Sequence, residues 1–201
     1  MPPIKLVILD RDGVINQDSD EYVKSLQEWI PYPASITAMA RLSQAGWKVA
    51  VATNQSGIGR GFYDEATLAA MHERMSSLVE AAGGHIDHIA WCPHVSEDNC
   101  DCRKPLPGLL KQVGEALGMP SLAGSWMVGD SLRDLQAGDA VGCHLALVRT
   151  GKGERTLAEY PELNADDNPT RVFDDLIAFV DWLLKTGMSI ADEGSDKDSG
   201  A

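Results

Sequence analysis

The chain has 201 residues, a formal net charge of −13, and 44% hydrophobic against 23% charged residues. That is enough chain for one well-buried domain, and so acidic a surface disfavours nucleic acid and anionic membranes, which want basic patches. No apolar stretch is long enough to span a bilayer, and the first apolar run is too short for a signal-peptide core, so the reading is a cytoplasmic protein with no membrane partner.

Residues 5–9 are a continuous apolar run ending at Asp10, as expected of a strand buried on both faces of a parallel sheet. Residues 34–45 carry helical periodicity and stop at Gly46; residues 48–52 form a second strand ending at Thr53. Asp64 is an N-cap for a helix that presents Leu68, Met71, Met75, Leu78, Val79 and Ala82 on one face and ends at Gly83-Gly84. A third strand is expected at 86–91, a polar loop at 92–103 and a helix at 107–117 with Pro107 near its first turn. A fourth strand (126–128) runs into Gly129-Asp130, followed by a helix (132–140), a fifth strand (144–148) and a last amphipathic helix (172–184). Residues 187–201 are small, polar and acidic and read as a disordered tail, leaving 1–186 as a single domain.

Strands alternating with helices predict an α/β fold with a doubly wound, Rossmann-like parallel sheet. Such sheets bind ligands beyond the carboxyl ends of their strands. Asp10, Asp12, Thr53, Cys92 and Asp130 all fall at such ends, which places them at one candidate site.

Two carboxylates at i and i+2 on a loop, Asp10 and Asp12, can address one metal and one phosphorus atom. Asp10 can serve as metal ligand and nucleophile, and Asp12 as general acid and base. Alone, the pair is equally well an ordinary acidic turn. The Thr53 hydroxyl and the N–H groups after it can hold phosphoryl oxygens. Lys104 can neutralise the phosphoryl group, although an isolated lysine is more often solvated. Asp130 offers a second metal carboxylate, and Asp134 is either a supporting acid or a first-turn acid favoured by the helix dipole.

These pieces, in this order over residues 4–150, resemble the haloacid dehalogenase superfamily of phosphatases. The resemblance implies an aspartyl-phosphate on Asp10, acid–base work by Asp12, and a phosphoryl group held by Thr53 and Lys104. It also implies Mg²⁺ bound by Asp10, Asp130 and the backbone carbonyl of Asp12. No long insertion separates the motifs, so no separate cap domain is expected.

Cys92-Pro93-His94 and Cys100-Asp101-Cys102 give the pattern C-x-H-x5-C-x-C, which fits a closed, structural Cys3His zinc site. Three free thiols beside a surface histidine is the plainer alternative. Zinc at 92–102 would order a loop with no core of its own and so position Arg103-Lys104. Cys143 reads as a buried small hydrophobe. His72, His85, His88 and His144 read as structural or surface residues.

A zinc loop flowing into Cys-Arg-Lys-Pro is most similar to the heptose bisphosphate phosphatase branch of the superfamily, which acts in bacterial lipopolysaccharide precursor synthesis. A small sugar bisphosphate is the partner this implies, acted on by a monomer. Arg60 and Arg103 are candidates for the second phosphate. Asn16, Asp18, Asn54, Gln55, Ser56 and Ser131 are the further substrate contacts expected. Histidinol-phosphate phosphatases share the Asp-x-Asp, zinc and Arg-Lys-Pro features and are the alternative. Ser56 stands where that family usually has an aspartate, but the five-residue spacer between His94 and Cys100 is short, as in that family. A catalytically inactive, zinc-stabilised binding module is the reading from another class.

Overall fold

The computed structural model describes residues 5–192, with side chains described through residue 186. Its strands are β1 (Leu6–Leu9), β2 (Lys48–Asn54), β3 (His88–Cys92), β4 (Trp126–Gly129), β5 (His144–Val148) and β6 (Thr170–Phe173). Its α-helices are α1 (Pro33–Gln44), α2 (Glu65–Ala81), α3 (Gly108–Ala116), α4 (Leu132–Asp139), α5 (Gly153–Glu159) and α6 (Leu176–Asp192). All six strands pair in parallel in the order β3-β2-β1-β4-β5-β6.

Each apolar strand is divided between two cores because successive side chains point to opposite faces. Val7 and Leu9 join one core with Met39 of α1, Met71 of α2 and Phe179 of α6. Leu6 and Ile8 join the other with Leu109 of α3 and Leu135 of α4. That two-sided burial is why β1 reads as an unbroken apolar run. The chain winds outward from β1 in both directions, so a crevice opens above the carboxyl ends of β1, β2 and β4.

Local signals act as expected at several boundaries. The Asp64 side chain accepts from the Thr67 N–H at 2.8 Å and starts α2. Gly46 has φ +78°, the left-handed conformation that ends α1.

Elsewhere the fold departs from the sequence expectation. The last helix begins at Leu176, not at 172, because Thr170–Phe173 is an edge strand on β5. Val172 lies on the same helical phase as Leu176, Phe179, Val180 and Leu183, so the strand hides inside the helix's periodicity. The α5 helix was also not expected. It is only 7 residues long and is framed by Gly151, Gly153 and Pro161. Finally, α6 continues to Asp192, so residues 187–192 of the expected tail are helical. One glycine at 187 costs a helix only about 1 kcal/mol. Residues 193–201 of that tail lie outside the described residues.

Candidate active site

Asp10 leaves β1, and Lys104 reaches it from the loop between β3 and α3. Lys104 is 1% exposed. Its ammonium has three donors, all of them engaged: Asp10 Oδ1 at 2.9 Å, Asp134 Oδ1 at 2.6 Å and the Ala52 carbonyl at 2.6 Å. Burial alone would lower its proton affinity, but the charges of Asp10 and Asp134 outweigh it and hold the group firmly protonated. The backbone of Lys104 is fixed as well. Its N–H donates to Asn54 Oδ1, and its carbonyl accepts from Asn54 Nδ2, each at 3.0 Å.

Asp12 is held in a different net. Arg11, fully buried, donates to its Oδ1 at 2.8 Å, and Asn16 Nδ2 donates to the same oxygen at 2.8 Å. Gln55 Nε2 donates to Oδ2 at 2.9 Å. Burial pushes the Asp12 carboxyl up, but the Arg11 charge and these hydrogen bonds more than reverse it, so its pKa lies below the ordinary carboxylate value.

The opposite holds for Asp10. Burial first, then the neighbouring Asp134 charge, push its pKa up to about 7 against the pull of Lys104. Asp130 is likewise raised, by burial and then by Asp10 and Asp134. Carboxylate oxygens of Asp10, Asp130 and Asp134 lie within 4.8 Å of one another. Around them, Asp10, Asp12, Asp130 and Asp134 face two buried cations, Arg11 and Lys104. A hard divalent cation is the group this donor set fits, because it would relieve carboxylates that burial otherwise protonates. The approach is tight, since a Cβ at Gly13 would collide with Asp130 Oδ2. Asp130 is steadied from behind by the Lys152 N–H at 2.8 Å.

The metal contact expected of Asp12 is its backbone carbonyl, and its carboxylate is engaged separately, with Arg11, Asn16 and Gln55. The carboxylate that joins Asp10 and Asp130 in the cluster is that of Asp134. Asp134 is both an α4 first-turn acid and a supporting acid: Oδ2 accepts from the Ser131 N–H and hydroxyl, and Oδ1 pairs with Lys104.

The expected substrate contacts divide. Asp18, Asn54, Gln55, Ser56, Arg103, Lys104 and Ser131 line the cleft together with Asp10, Asp12 and Asp130. Asn16 is fully buried and braces Asp12. Arg60 is exposed and does not line the cleft. The cleft's further cations are Arg133 and Lys152, and Lys152 Nζ pairs with Asp18 at 3.0 Å. Neither was singled out from sequence. Arg133 sits between Asp130 and Asp134, both marked in the sequence, whereas Lys152 follows β5 with no motif to mark it. Arg11 and Tyr63 were missed too, since a buried arginine and a tyrosine beyond a glycine-rich loop have no local signature.

The second cluster is the loop after β3. Cys92 and Cys102 sulfurs are 3.0 Å apart, Cys92 and Cys100 3.7 Å, and His94 Nδ1 lies 3.3 Å from Cys102 and 3.5 Å from Cys92. A tetrahedral zinc with bonds of about 2.3 Å has S–S edges of about 3.8 Å, so the cluster is near that size and somewhat contracted. Cys143 is buried and apart from it, as expected. His72, read as unremarkable, proves buried with no partner for Nε2.

A HAD-hydrolase-like family model matches residues 101–179. The D-glycero-β-D-manno-heptose-1,7-bisphosphate 7-phosphatase of Pseudomonas aeruginosa is 59% identical, over 90% of this chain and 98% of its own length. The enzyme of the same name from Neisseria meningitidis serogroup B is 51% identical, over 90% and 96%. This chain belongs to the heptose-1,7-bisphosphate 7-phosphatase family. It is therefore a HAD-type phosphatase, a phosphoric monoester hydrolase. A crystal structure of the family's Bordetella bronchiseptica member, complexed with magnesium and phosphate, superimposes with a TM-score of 0.84 at 50% identity, covering 90% of this chain and 99% of that one.

Proposed function

We propose that this chain removes the 7-phosphate of D-glycero-β-D-manno-heptose 1,7-bisphosphate, with Asp10 as nucleophile and Asp12 as acid and base. The observation that carries the chemistry is Lys104 Nζ, buried between Asp10 and Asp134 at 2.9 and 2.6 Å. It holds a positive charge where a carboxylate must meet a phosphoryl group.

Asp10 and Asp130 would hold Mg²⁺, which supplies the positive charge that lets an anion attack a phosphomonoester. Asp10 Oδ attacks phosphorus and the ester oxygen leaves, giving the aspartyl-phosphate. Asp12 starts as a carboxylate. The approach of the phosphoryl dianion raises its proton affinity, so it takes up from solvent the proton that it hands to the leaving oxygen. In the second half it takes a proton from the water that attacks the aspartyl-phosphate. The expected zinc at Cys92, His94, Cys100 and Cys102 would have a structural role, fixing the loop from which the Lys104 backbone meets Asn54.

The distal phosphate falls to Arg103 with Arg133 and Lys152, the cleft's remaining cations; this replaces the expectation for Arg60. Residues 10–32 and 55–64 contain no helix or strand, which supports a single domain without a cap and short loops as the walls of the cleft. The four free cysteines, and no described helix long and apolar enough to cross a membrane, fit a cytoplasmic location. The test is phosphate release with Mg²⁺ from both anomers of heptose 1,7-bisphosphate and from histidinol phosphate. Preference for histidinol phosphate, or no release from any of the three, would overturn the proposal.

A further inference from the structure

We infer that Gln55 is a positioning residue for Asp12 and Thr53, locked by Tyr63 and Arg11, and not a contact to the sugar. The inference rests on the phosphatase reading above and deepens it.

A glutamine side chain has two N–H donors and one oxygen with two lone pairs. In Gln55 all four are spent on protein. Nε2 donates to Asp12 Oδ2 and to Thr53 Oγ1, both at 2.9 Å. Oε1 accepts from the Tyr63 hydroxyl and from Arg11 Nη2, the latter at 3.3 Å. Nothing remains for a substrate hydroxyl, although Gln55 lines the cleft.

The amide can have only this orientation. Flipped, it would set Oε1 against the Asp12 carboxylate and turn the NH₂ group toward the Arg11 guanidinium, replacing attractive contacts with repulsive ones. Arg11 completes the arrangement, since the same Nη2 also donates to Asp12. The fork therefore ties two groups of the reaction to one rigid amide. It fixes the rotation of the Asp12 carboxyl. It also occupies an acceptor site on the buried Thr53 hydroxyl, which must then direct its own proton to another group. Gln55 is 3% exposed, so water cannot readily replace it.

If Gln55 aims the acid, its loss must matter most where the leaving group needs a proton. An alkyl phosphate such as heptose 1,7-bisphosphate leaves as a poor alkoxide. p-Nitrophenyl phosphate leaves as a stable phenolate and needs little help. The experiment compares kcat/KM, which reports steps up to aspartyl-phosphate formation, for both substrates in wild type, Gln55→Met and Tyr63→Phe with Mg²⁺. General acid catalysis contributes roughly 10²–10⁴-fold. Gln55→Met is expected to lose at least about tenfold more on the heptose substrate than on the aryl phosphate. Tyr63→Phe, which removes one oxygen, should show a smaller loss of the same selectivity. Equal fold-losses on the two substrates in both variants would overturn the inference. So would a Gln55→Met defect confined to KM for the heptose substrate, the mark of a sugar contact. A wild-type protein inert on both substrates would instead remove the activity reading beneath it.

Discussion

Lys104 Nζ lies closer to Asp134 Oδ1, at 2.6 Å, than to Asp10 Oδ1, at 2.9 Å. The lysine is thus not simply a counter-ion of Asp10. Asp134 anchors it, and Ser131 anchors Asp134 through two hydrogen bonds. A chain of fixed groups runs from the start of α4 to the Asp10 carboxylate.

Breaking that chain should cost rate more than fold. Asp134→Asn keeps the shape and removes the anchoring charge. We expect kcat to fall by roughly 10- to 100-fold, and by more than about 10²-fold for Lys104→Met, on the scale of lost electrostatic stabilisation. Steady-state kinetics with Mg²⁺ check this. An Asp134→Asn enzyme within twofold of wild type would show that Asp134 is only a helix-capping acid.

The same contact shows where sequence reading succeeds and where it stops. Asp10, Asp12, Thr53, Lys104 and Asp130 were legible because each sits at a strand end or beside the cysteine loop, where local pattern marks it. What Asp134 and Gln55 do was not legible, because their roles depend on partners brought in from other strands. Arg11 was invisible for a similar reason: its burial depends on Asp12, Gln55 and Met71 meeting around it. Strand β6 was lost because its apolar residues share the phase of α6, and its pairing with β5 is a long-range fact. Arg60 is near Gln55 and Ser56 in sequence, yet it is exposed and lies outside the cleft lining.

Stability without a divalent cation should depend on pH through Asp10. Its carboxyl has a folded pKa of about 7 against an ordinary value of 3.8, raised mainly by burial. The folded state therefore binds more protons than the unfolded chain across that window, and stability falls as pH rises through it. Asp130, raised for the same reason, acts in the same direction. Mg²⁺ competes with those protons, so its stabilising effect should be small near pH 5 and grow toward pH 8. Melting temperatures with and without added Mg²⁺, in buffer free of chelator so that zinc is retained, measure this. An increment from Mg²⁺ that is the same at every pH would contradict it.

The cysteine cluster makes a separate claim. Burial pushes the Cys92 and Cys102 thiols up, so a metal binding there must displace protons, and its affinity must fall on acidification. Freshly purified protein should contain about one equivalent of zinc by elemental analysis and lose it as pH is lowered. Cys100→Ser should reduce zinc content, melting temperature and kcat together, because the loop it closes carries Arg103 and Lys104. Less than half an equivalent in the wild type, or full activity in a zinc-free variant, would argue that the loop needs no metal.

Lys152 joins the proposed metal site to the cleft wall. Its N–H donates to Asp130 Oδ2 at 2.8 Å, while its Nζ pairs with Asp18 at 3.0 Å. Arg155 makes a parallel pair with Asp20 at 3.2 Å, so α5 and the turn before it hold the loop that carries Asp18 and Asp20. Lys152→Met keeps the backbone donor to Asp130 and releases only the loop. A partly exposed ion pair is worth about 0–1 kcal/mol, so the melting temperature should barely move. The loop would then have to be ordered by the substrate, at about 1 kcal/mol for each side chain fixed. That corresponds to a rise in KM of roughly fivefold or more, with kcat within about twofold, since tenfold is 1.4 kcal/mol. Loss of the lysine's own charge beside the distal phosphate would act in the same direction. Arg155→Ala separates the two causes, because Arg155 does not line that cleft: a raised KM in both variants identifies loop ordering, and an effect in Lys152→Met alone identifies direct contact with phosphate. Unchanged KM in both would show that this strap has no part in binding.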